Sequence, residues 1–195
     1  MWQAALIVGA TQARKTHKTF DVLTERLNKD GDNLVLFVTQ SNSTTSAYQL
    51  IGRARQHSQI IGHIPPTNIT RTGGFSEDVL GNVMVVDFYN TKNTTKMLSI
   101  ACTYHWTEII VVFDECDQGG TQGTFQRLKF LHQVEQHAGT KISVIFVTAT
   151  AANLSNSLYK ICNQDMFKSS IVQKIIRDPI TAHYHVIPCL SLIHI

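Results

Sequence analysis

Residues 108–117 read EIIVVFDECD, an apolar run that leads directly into three acidic residues. A run so short and so rich in Val and Ile is typical of a strand buried on both faces of a parallel sheet. In such sheets, ligands bind outside the carboxyl ends of the strands. We therefore expect Asp114, Glu115 and Asp117 to lie at a ligand-binding edge.

Apolar runs of the same kind recur along the chain and alternate with stretches of helical character. The other predicted strands are residues 4–8, 34–38, 83–86 and 142–147. The predicted helices are residues 15–28, 43–56, 95–105, 125–137 and 154–162. This alternation predicts a three-layer α/β domain with right-handed crossovers and a mostly parallel central sheet. Residues 60–80 are predicted to be a loop or a short broken strand, because they contain paired Pro and paired Gly.

Length and composition favour one domain. The chain has 195 residues, of which 43% are hydrophobic, and this is enough to bury a single core. We assign that domain to residues 1–188. Residues 189–195 resemble translated sequencing-adapter read-through, so we expect a non-native tail on a gene fragment. The net charge of +3 arises from scattered Lys and Arg, which permits a polyanion partner without arguing for one.

Cysteine usage and hydropathy predict the compartment. Four cysteines with no CxxC pair are typical of reduced thiols in an intracellular protein. His183, His185 and Cys189 have no second ligand pair at finger-like spacing, so we predict no structural zinc. From the residues given, we expect neither a leader segment nor a membrane-spanning stretch. We expect a cytoplasmic protein that does not contact the membrane.

The turn after the first predicted strand carries a phosphate-binding pattern. It consists of Gly9, Ala10, Thr11, Gln12, Ala13, Arg14, Lys15 and Thr16. In a loop between a strand and a helix, backbone N–H groups wrap phosphates, a Lys reaches the outer phosphates and a Thr hydroxyl ligates Mg²⁺. These residues therefore predict an ATP and Mg²⁺ site. The alternative is that Lys15 and Thr16 simply open an amphipathic helix.

Arg14 departs from the pattern G-x-x-x-x-G-K-[ST], which requires a second Gly at that position. Glycine there lets the backbone approach the phosphate, whereas Arg brings bulk and a fixed charge. Two alternatives follow from the residue itself. Arg14 either points outward and leaves ATP binding intact, or contacts a phosphate.

The acidic residues after the fourth strand fit the chemistry of a metal-bound nucleotide. Asp114 is predicted to hold Mg²⁺ through its water shell, and Glu115 to orient and deprotonate the attacking water. The alternative is a solvated turn or a helix N-cap, which also favours Asp. We favour the functional interpretation because the strand context that the motif requires is met.

Thr148, Ala149 and Thr150 follow the fifth strand at the same edge of the sheet. Their small hydroxyl side chains can link the acidic residues to bound nucleic acid by hydrogen bonds. Alternatively, Thr150 only caps the helix that begins near Ala152. The residues themselves do not decide between these interpretations.

The order of these motifs resembles the superfamily 2 helicases of the DEAD/DEAH type. The resemblance covers residues 4–158 and rests on the GxxxxxKT turn, the early Thr39-Gln40, the DECD box and the T-A-T turn. It implies the first RecA-like P-loop NTPase domain, with ATP and Mg²⁺ as cofactors and DNA or RNA as partner. It also implies that hydrolysis is coupled to movement. Residues 85–90 and 147–154 more narrowly resemble helicase-like proteins of large DNA viruses and phages, and would place the protein in the host cytoplasm.

The sequence departs from that family in three places. Arg14 breaks the phosphate loop. An adenine-reading glutamine motif, which would lie ahead of Met1, is expected to be missing. The second RecA-like domain, which carries the arginine finger, is expected to be missing. Because transition-state charge on the γ-phosphate normally needs that cation, we expect weak hydrolysis by this chain alone.

Several further residues are candidates for backbone phosphate contacts. Thr39, Gln40 and Ser41 follow the second strand, and residues 71–74 lie in the long connection. Residues 49–55, which read QLIGRAR, resemble the arginine-finger motif of a second helicase domain but precede the acidic box. We therefore interpret Arg53 and Arg55 as a solvated or phosphate-facing surface rather than as catalytic residues.

Two other functions compete with a helicase or translocase. One is another P-loop ATPase such as a DNA-packaging motor, whose phosphate loops tolerate Arg before Lys more often. The other is a non-catalytic module in which Arg14 has ended nucleotide binding and the surface only docks nucleic acid or protein.

Overall fold

The computed structural model describes residues 4–10, 14–27, 32–39, 44–61, 68–70, 82–162 and 184–186. Strands and helices alternate along these residues. The strands are β1 (Ala4–Val8), β2 (Asn33–Thr39), β3 (Asn68–Thr70), β4 (Val83–Phe88), β5 (Glu108–Phe113), β6 (Lys141–Thr148) and β7 (Tyr184–Val186). The helices are α1 (Lys15–Arg26), α2 (Thr44–Ile61), α3 (Thr91–Thr103), α4 (Gly120–Ala138) and α5 (Ala151–Cys162).

All described strands join one sheet in the order β3-β4-β2-β5-β6-β1-β7, and every neighbouring pair is parallel. The fold prediction is confirmed, since this is the three-layer α/β arrangement of RecA-like and Rossmann-type domains. Strand β6 lies between β1 and β5. The carboxyl ends of these three strands are therefore neighbours, and each is followed by one of the predicted motifs.

Two apolar layers cover the faces of the sheet. Leu34, Leu36 and Val38 of β2 pack on the layer that includes residues of α3, α4 and α5. Val35 and Phe37 belong to the opposite layer, with residues of α1 and α2. Because side chains alternate between the two faces of a strand, a strand with helices on both sides is apolar throughout. This explains the uninterrupted apolar runs in the sequence.

The bounds of α2, α3 and α4 differ most from the predicted ones. Helix α3 begins at Thr91 rather than residue 95, because the Asn90 side chain caps it and accepts a hydrogen bond from the Asn93 N–H at 2.7 Å. Helix α4 begins at Gly120 rather than residue 125, and α2 runs to Ile61 instead of ending at 56. Those predicted bounds were wrong because they followed apolar spacing, whereas capping groups and turn backbone decide where a helix begins.

Residues 60–80 were predicted to be either a loop or a short broken strand. The structure has a short strand there, β3, which pairs with β4. Other predictions lie outside the described residues: those on Thr11, Gln12, Ala13, Gln40, Ser41, residues 71–74, His183, Cys189 and the tail 189–195. Of the helices that the structure describes, none has the length and apolar character needed to cross a membrane.

Glu108, the first residue of β5, lies at the amino end of the strand, away from the acidic turn. Its Oε1 accepts hydrogen bonds from Arg26 Nη2 at 2.6 Å and from Ser143 Oγ at 2.6 Å. Lys141 Nζ lies 3.5 Å from its Oε2. These contacts tie the last turn of α1 to the sheet, so Glu108 has a structural role.

Candidate functional site

The acidic turn is attached to the sheet on both sides of β5. The Asp114 N–H donates to the Val38 carbonyl of β2 at 2.9 Å, and the Cys116 N–H donates to the Val147 carbonyl of β6 at 3.0 Å. Between these two anchors, Glu115 has a positive φ of 50°. A left-handed residue turns the chain sharply, so the backbone leaves the plane of the sheet at Glu115.

Burial separates the roles of the four residues in the turn. The Cys116 side chain lies in the core, and this burial raises the pKa of its thiol well above the usual value. Asp114, Glu115 and Asp117 are only partly buried. The neutral thiol therefore anchors the turn and leaves the three carboxyl groups for contacts at the edge of the sheet.

Arg127 of α4 binds the backbone of the acidic turn. Its role was not predicted from the sequence. Its side chain is 2% exposed. Nη1 donates to the Cys116 carbonyl at 2.8 Å, and Nη2 donates to the Gln118 carbonyl at 3.0 Å. Burial lowers the pKa of Arg127, but a guanidinium stays protonated in proteins. The sequence did contain one signal for this role, because Arg127 is a charged residue beside Leu128 on the apolar face of a predicted helix.

Glycines let α4 approach the turn closely. Gly119 precedes α4 with a positive φ of 79°. At Gly123, an added Cβ would lie 2.4 Å from the Gln118 carbonyl oxygen and 3.1 Å from Arg127 Nη1. Only a residue without a side chain fits at this position, which gives the G-G-x-x-G spacing after the acidic box a physical reason.

The T-A-T turn is hydrogen-bonded to Asp117. Thr148 Oγ1 donates to Asp117 Oδ1 at 2.5 Å, and Thr150 Oγ1 donates to Asp117 Oδ2. Burial alone would raise the pKa of Asp117, but these two hydrogen bonds and the charge of Arg127 lower it below the usual value. Asp117 is therefore an anion that links the end of β5 to the end of β6.

This geometry bears on the two interpretations of Thr150. The residue directly precedes α5, as expected of a cap, and its carbonyl accepts the Asn153 N–H at 3.1 Å. Its hydroxyl, however, donates to Asp117 and accepts from Asn153 Nδ2 at 3.2 Å. The link to the acidic residues thus exists, whereas a contact of Thr148, Ala149 or Thr150 with nucleic acid stays a prediction.

Arg14 has a backbone conformation that glycine adopts more readily than other residues. It is the N-cap residue of α1, with φ 58° and ψ 29°, in the left-handed region. Non-glycine residues there cost roughly 1–2 kcal/mol. The Arg14 side chain is exposed, as the outward-pointing alternative requires. Arg14 therefore adopts a left-handed backbone conformation without placing its side chain against the protein.

Lys15 follows at the start of α1 and is buried, with 8% of the residue exposed. Its Nζ donates to the Gly9 carbonyl at 3.0 Å and lies 3.6 Å from Glu115 Oε1. Gly9 in turn donates its N–H to the Thr148 carbonyl at 3.2 Å, while Ala10 is exposed. One ammonium group thus joins the turn after β1 to the acidic turn.

Asp114 has an unusual environment for a carboxyl group. Burial, with the negative charge of Glu115, raises its pKa from 3.8 to about 6, although the Glu115 N–H and Lys15 oppose this shift. The Glu115 N–H donates to Asp114 Oδ1 at 3.1 Å. A carboxylate that ionises with difficulty gains stability from a bound cation, so the site favours a positive charge beside Asp114.

A cleft of about 300 Å³ opens at this edge of the sheet. Its lining includes side chains from α1, α2, β2 and the acidic turn: Thr16, Thr39, Gln49, Arg53, Asp114 and Glu115. The volume is at the lower end of the range of small-molecule sites. The predicted Thr16, Asp114 and Glu115 are therefore brought together, and Thr39 lies in the same cleft.

The donors in the cleft fit a hard cation. The Thr16 hydroxyl and the Asp114 carboxylate are oxygen ligands, which Mg²⁺ prefers together with water and substrate phosphates. In the described parts of the chain, no three His, Cys, Asp or Glu side chains converge to hold a metal by themselves. Any magnesium at this site would take its remaining ligands from water or from a phosphate.

Comparisons with known proteins assign neither a family nor a function to this chain. No family model and no curated protein matches the sequence. Among solved structures, a structural study of a protein from Pyrococcus horikoshii shows a chain that is 11% identical. The match covers 89% of this chain and 78% of that chain, with a TM-score of 0.42. A likeness at this level supports no inference about function.

Proposed function

We propose that this chain is the ATP-binding and ATP-hydrolysing domain of a nucleic-acid motor of the helicase or translocase type. The observation that carries the proposal is the position of Lys15, whose Nζ lies 3.0 Å from the Gly9 carbonyl and 3.6 Å from Glu115. A cation, a hydroxyl and two carboxyl groups meet at the carboxyl edge of a parallel sheet. Phosphoryl transfer in nucleotide-hydrolysing domains uses groups of these kinds at this edge of the sheet.

The contacts of Lys15 suggest how the site responds to nucleotide. In the described structure, Lys15 satisfies the Gly9 carbonyl and neutralises part of the charge on Glu115. The phosphates of ATP would compete with both for the ammonium group, because a phosphate oxygen is a strong anionic acceptor. Binding would then release Glu115 from Lys15 and leave its carboxylate free to accept a proton.

The residues have separate roles in the proposed reaction. Thr16 and Asp114 would hold Mg²⁺, which neutralises phosphate charge when bound. Glu115 would orient a water and accept its proton while the water oxygen forms a bond to the γ-phosphorus. The bond from that phosphorus to the bridging oxygen breaks, and its electron pair leaves with ADP. Lys15 would contact the outer phosphates throughout.

Coupling to nucleic acid is proposed for the other end of the acidic turn. Asp117 joins β5 to the T-A-T turn through both of its carboxylate oxygens. A shift of the turn on hydrolysis would therefore reach Thr148 and Thr150 through two hydrogen bonds. DNA or RNA is the proposed partner, together with a second RecA-like domain supplied outside this chain. The proposed location is intracellular, where ATP and nucleic acid occur.

A DNA-packaging ATPase is a second candidate, which the presence of Arg14 directly before Lys15 favours. The non-catalytic module is less well supported. Arg14 adopts the left-handed conformation and its side chain is exposed, so the substitution does not fill the cleft.

Titration calorimetry of the full chain with ATP and Mg²⁺ tests the proposal. We expect binding by the parent, loss of binding in Lys15→Ala, and unchanged binding in Lys96→Ala, which removes an exposed lysine of α3. Arg14→Gly should bind at least as tightly as the parent. If neither the parent nor Arg14→Gly binds ATP, the proposed function is wrong.

A further inference from the structure

Helix α2 contributes polar side chains to the cleft from one face. Ser46, Gln49 and Arg53 all line it, together with Leu50. Residues three and four apart lie on the same side of a helix, so this spacing forms a continuous polar strip. Leu50 is buried in the core layer shared with α1, which fixes the rotation of α2 and keeps the strip directed at the cleft.

Arg53 differs from the other cations near the site. Lys15 is buried and already contacts Gly9 and Glu115. Arg53 is exposed, and its guanidinium makes no hydrogen bond or ion pair with the residues that the structure describes. Arg55, two positions along, is also exposed but is not part of the cleft lining. Arg53 is therefore the arginine of α2 that is available to an anion in the cleft.

The chemistry of the cleft indicates which anion this would be. Thr16 marks the metal and outer-phosphate end of the loop, and Asp114 and Glu115 mark the reacting end. A guanidinium offers a planar fork of N–H donors, which matches two oxygens of a phosphate. Two carboxyl groups in so small a cleft would repel a phosphate unless further positive charge faced it. Arg53 supplies that charge in addition to Lys15.

We propose that Arg53 binds the terminal phosphate of the nucleoside triphosphate, with Gln49 beside it on the same face of α2. This inference rests on the proposed function, because it assigns a ligand within the same nucleotide site. The domain then carries in its own chain a cation that distinguishes ATP from ADP. This revises the expectation that such a cation must come from a second domain.

Nucleotide affinities of the full chain test the assignment. The probes are the Mg²⁺ complexes of ADP and of a non-hydrolysable ATP analogue with an imido bridge, each measured by calorimetry. In Arg53→Gln, we expect roughly 10-fold weaker binding of the triphosphate, since a charge-assisted hydrogen bond is lost. Binding of ADP should change by less than about 2-fold, because ADP lacks the contacted group. Arg53→Lys should weaken triphosphate binding less than Arg53→Gln does.

Arg55→Gln is the matched control, since it removes the same charge from the same helix outside the cleft. It should leave the ratio of the two affinities unchanged. An unchanged ratio in Arg53→Gln, or an equal loss of both affinities, would overturn the assignment while leaving the proposed function intact. If neither the parent nor Arg14→Gly binds the triphosphate, the proposed function is refuted, and the assignment with it.

Discussion

Arg127 Nη1 lies 2.8 Å from the carbonyl oxygen of Cys116, so a guanidinium buried in the core supports the turn that carries the candidate catalytic acids. The second nitrogen, Nη2, reaches the Gln118 carbonyl at the far end of the same turn. The geometry of Asp114 and Glu115 thus depends on a residue of α4 that does not line the cleft. Arg127 is a positioning residue, and this relationship leads to the first prediction.

Arg127→Met keeps most of the aliphatic stem and removes both donors. We expect it to lower the free energy of unfolding by about 3 kcal/mol, because the buried Cys116 carbonyl and the partly buried Gln118 carbonyl lose charged hydrogen-bond donors. Chemical denaturation measures this change. Lys129→Ala, at an exposed position of the same helix, should change stability by less than about 0.5 kcal/mol. Equal effects of the two variants would contradict the role assigned to Arg127.

Asp114→Asn should stabilise the protein at neutral pH while weakening magnesium-dependent ATP binding. The pKa of Asp114 is raised to about 6 in the folded state, so its ionisation opposes folding. The sign follows from linkage: the penalty is absent below pH 4, develops between about pH 4 and 6, and is complete above that range. The gain at pH 8 should approach about 3 kcal/mol at most.

Denaturation curves of the parent and Asp114→Asn at pH 4, 6 and 8 measure this dependence. The stability difference should grow with pH. A difference that is the same at all three values would show that burial does not destabilise the Asp114 carboxylate.

Gly123→Ala and Gly52→Ala form a pair of helical glycine substitutions with opposite expected effects. At Gly123, the new Cβ would lie 2.4 Å from the Gln118 carbonyl oxygen, so the turn must move and we expect a loss of about 2 kcal/mol. At Gly52 in α2, the added Cβ would have no described atom within 4 Å apart from its chain neighbours and the backbone of its own helix. Helix propensity should therefore stabilise Gly52→Ala by roughly 0.5–1 kcal/mol. Thermal unfolding of both variants distinguishes these effects.

Thr148→Val tests the link between the acidic turn and the T-A-T turn. It keeps the shape of the side chain but removes the donor to Asp117 Oδ1. The pKa of Asp117 should rise toward its usual value, because a hydrogen bond that favours the anion is lost. Carboxyl titration by NMR would measure this rise.

Linkage also gives the direction of the stability change in Thr148→Val. Because the pKa of Asp117 is lower in the folded state, its ionisation stabilises the fold at pH values above the unfolded-state pKa. This contribution disappears as the pH falls through the folded-state pKa. The variant should therefore be less stable than the parent at pH 7, and the two should converge in acid. Under the proposed function, stimulation of ATP hydrolysis by single-stranded nucleic acid should fall while ATP binding is retained.

Much of the fold could be predicted from the sequence because burial on both faces leaves a strand uniformly apolar. The run 108–113 was predicted from composition alone, and so was the polar edge that begins at Asp114. The order of the strands in the sheet could not be predicted and is known only from the tertiary structure. No local pattern states that β6 lies between β1 and β5, although this placement brings Thr148 and Thr150 to Asp117.

The sequence by itself determined the fold class and the candidate residues Lys15, Thr16, Asp114 and Glu115, since each depends on chemistry within a short segment. Only the tertiary structure decided which residues from other helices lie beside them. Arg127 reaches the acidic turn from α4 and Arg53 reaches the cleft from α2, and helical periodicity cannot predict either contact. The physical reason is that packing fixes the rotation of each helix about its axis, and packing depends on residues distant in sequence.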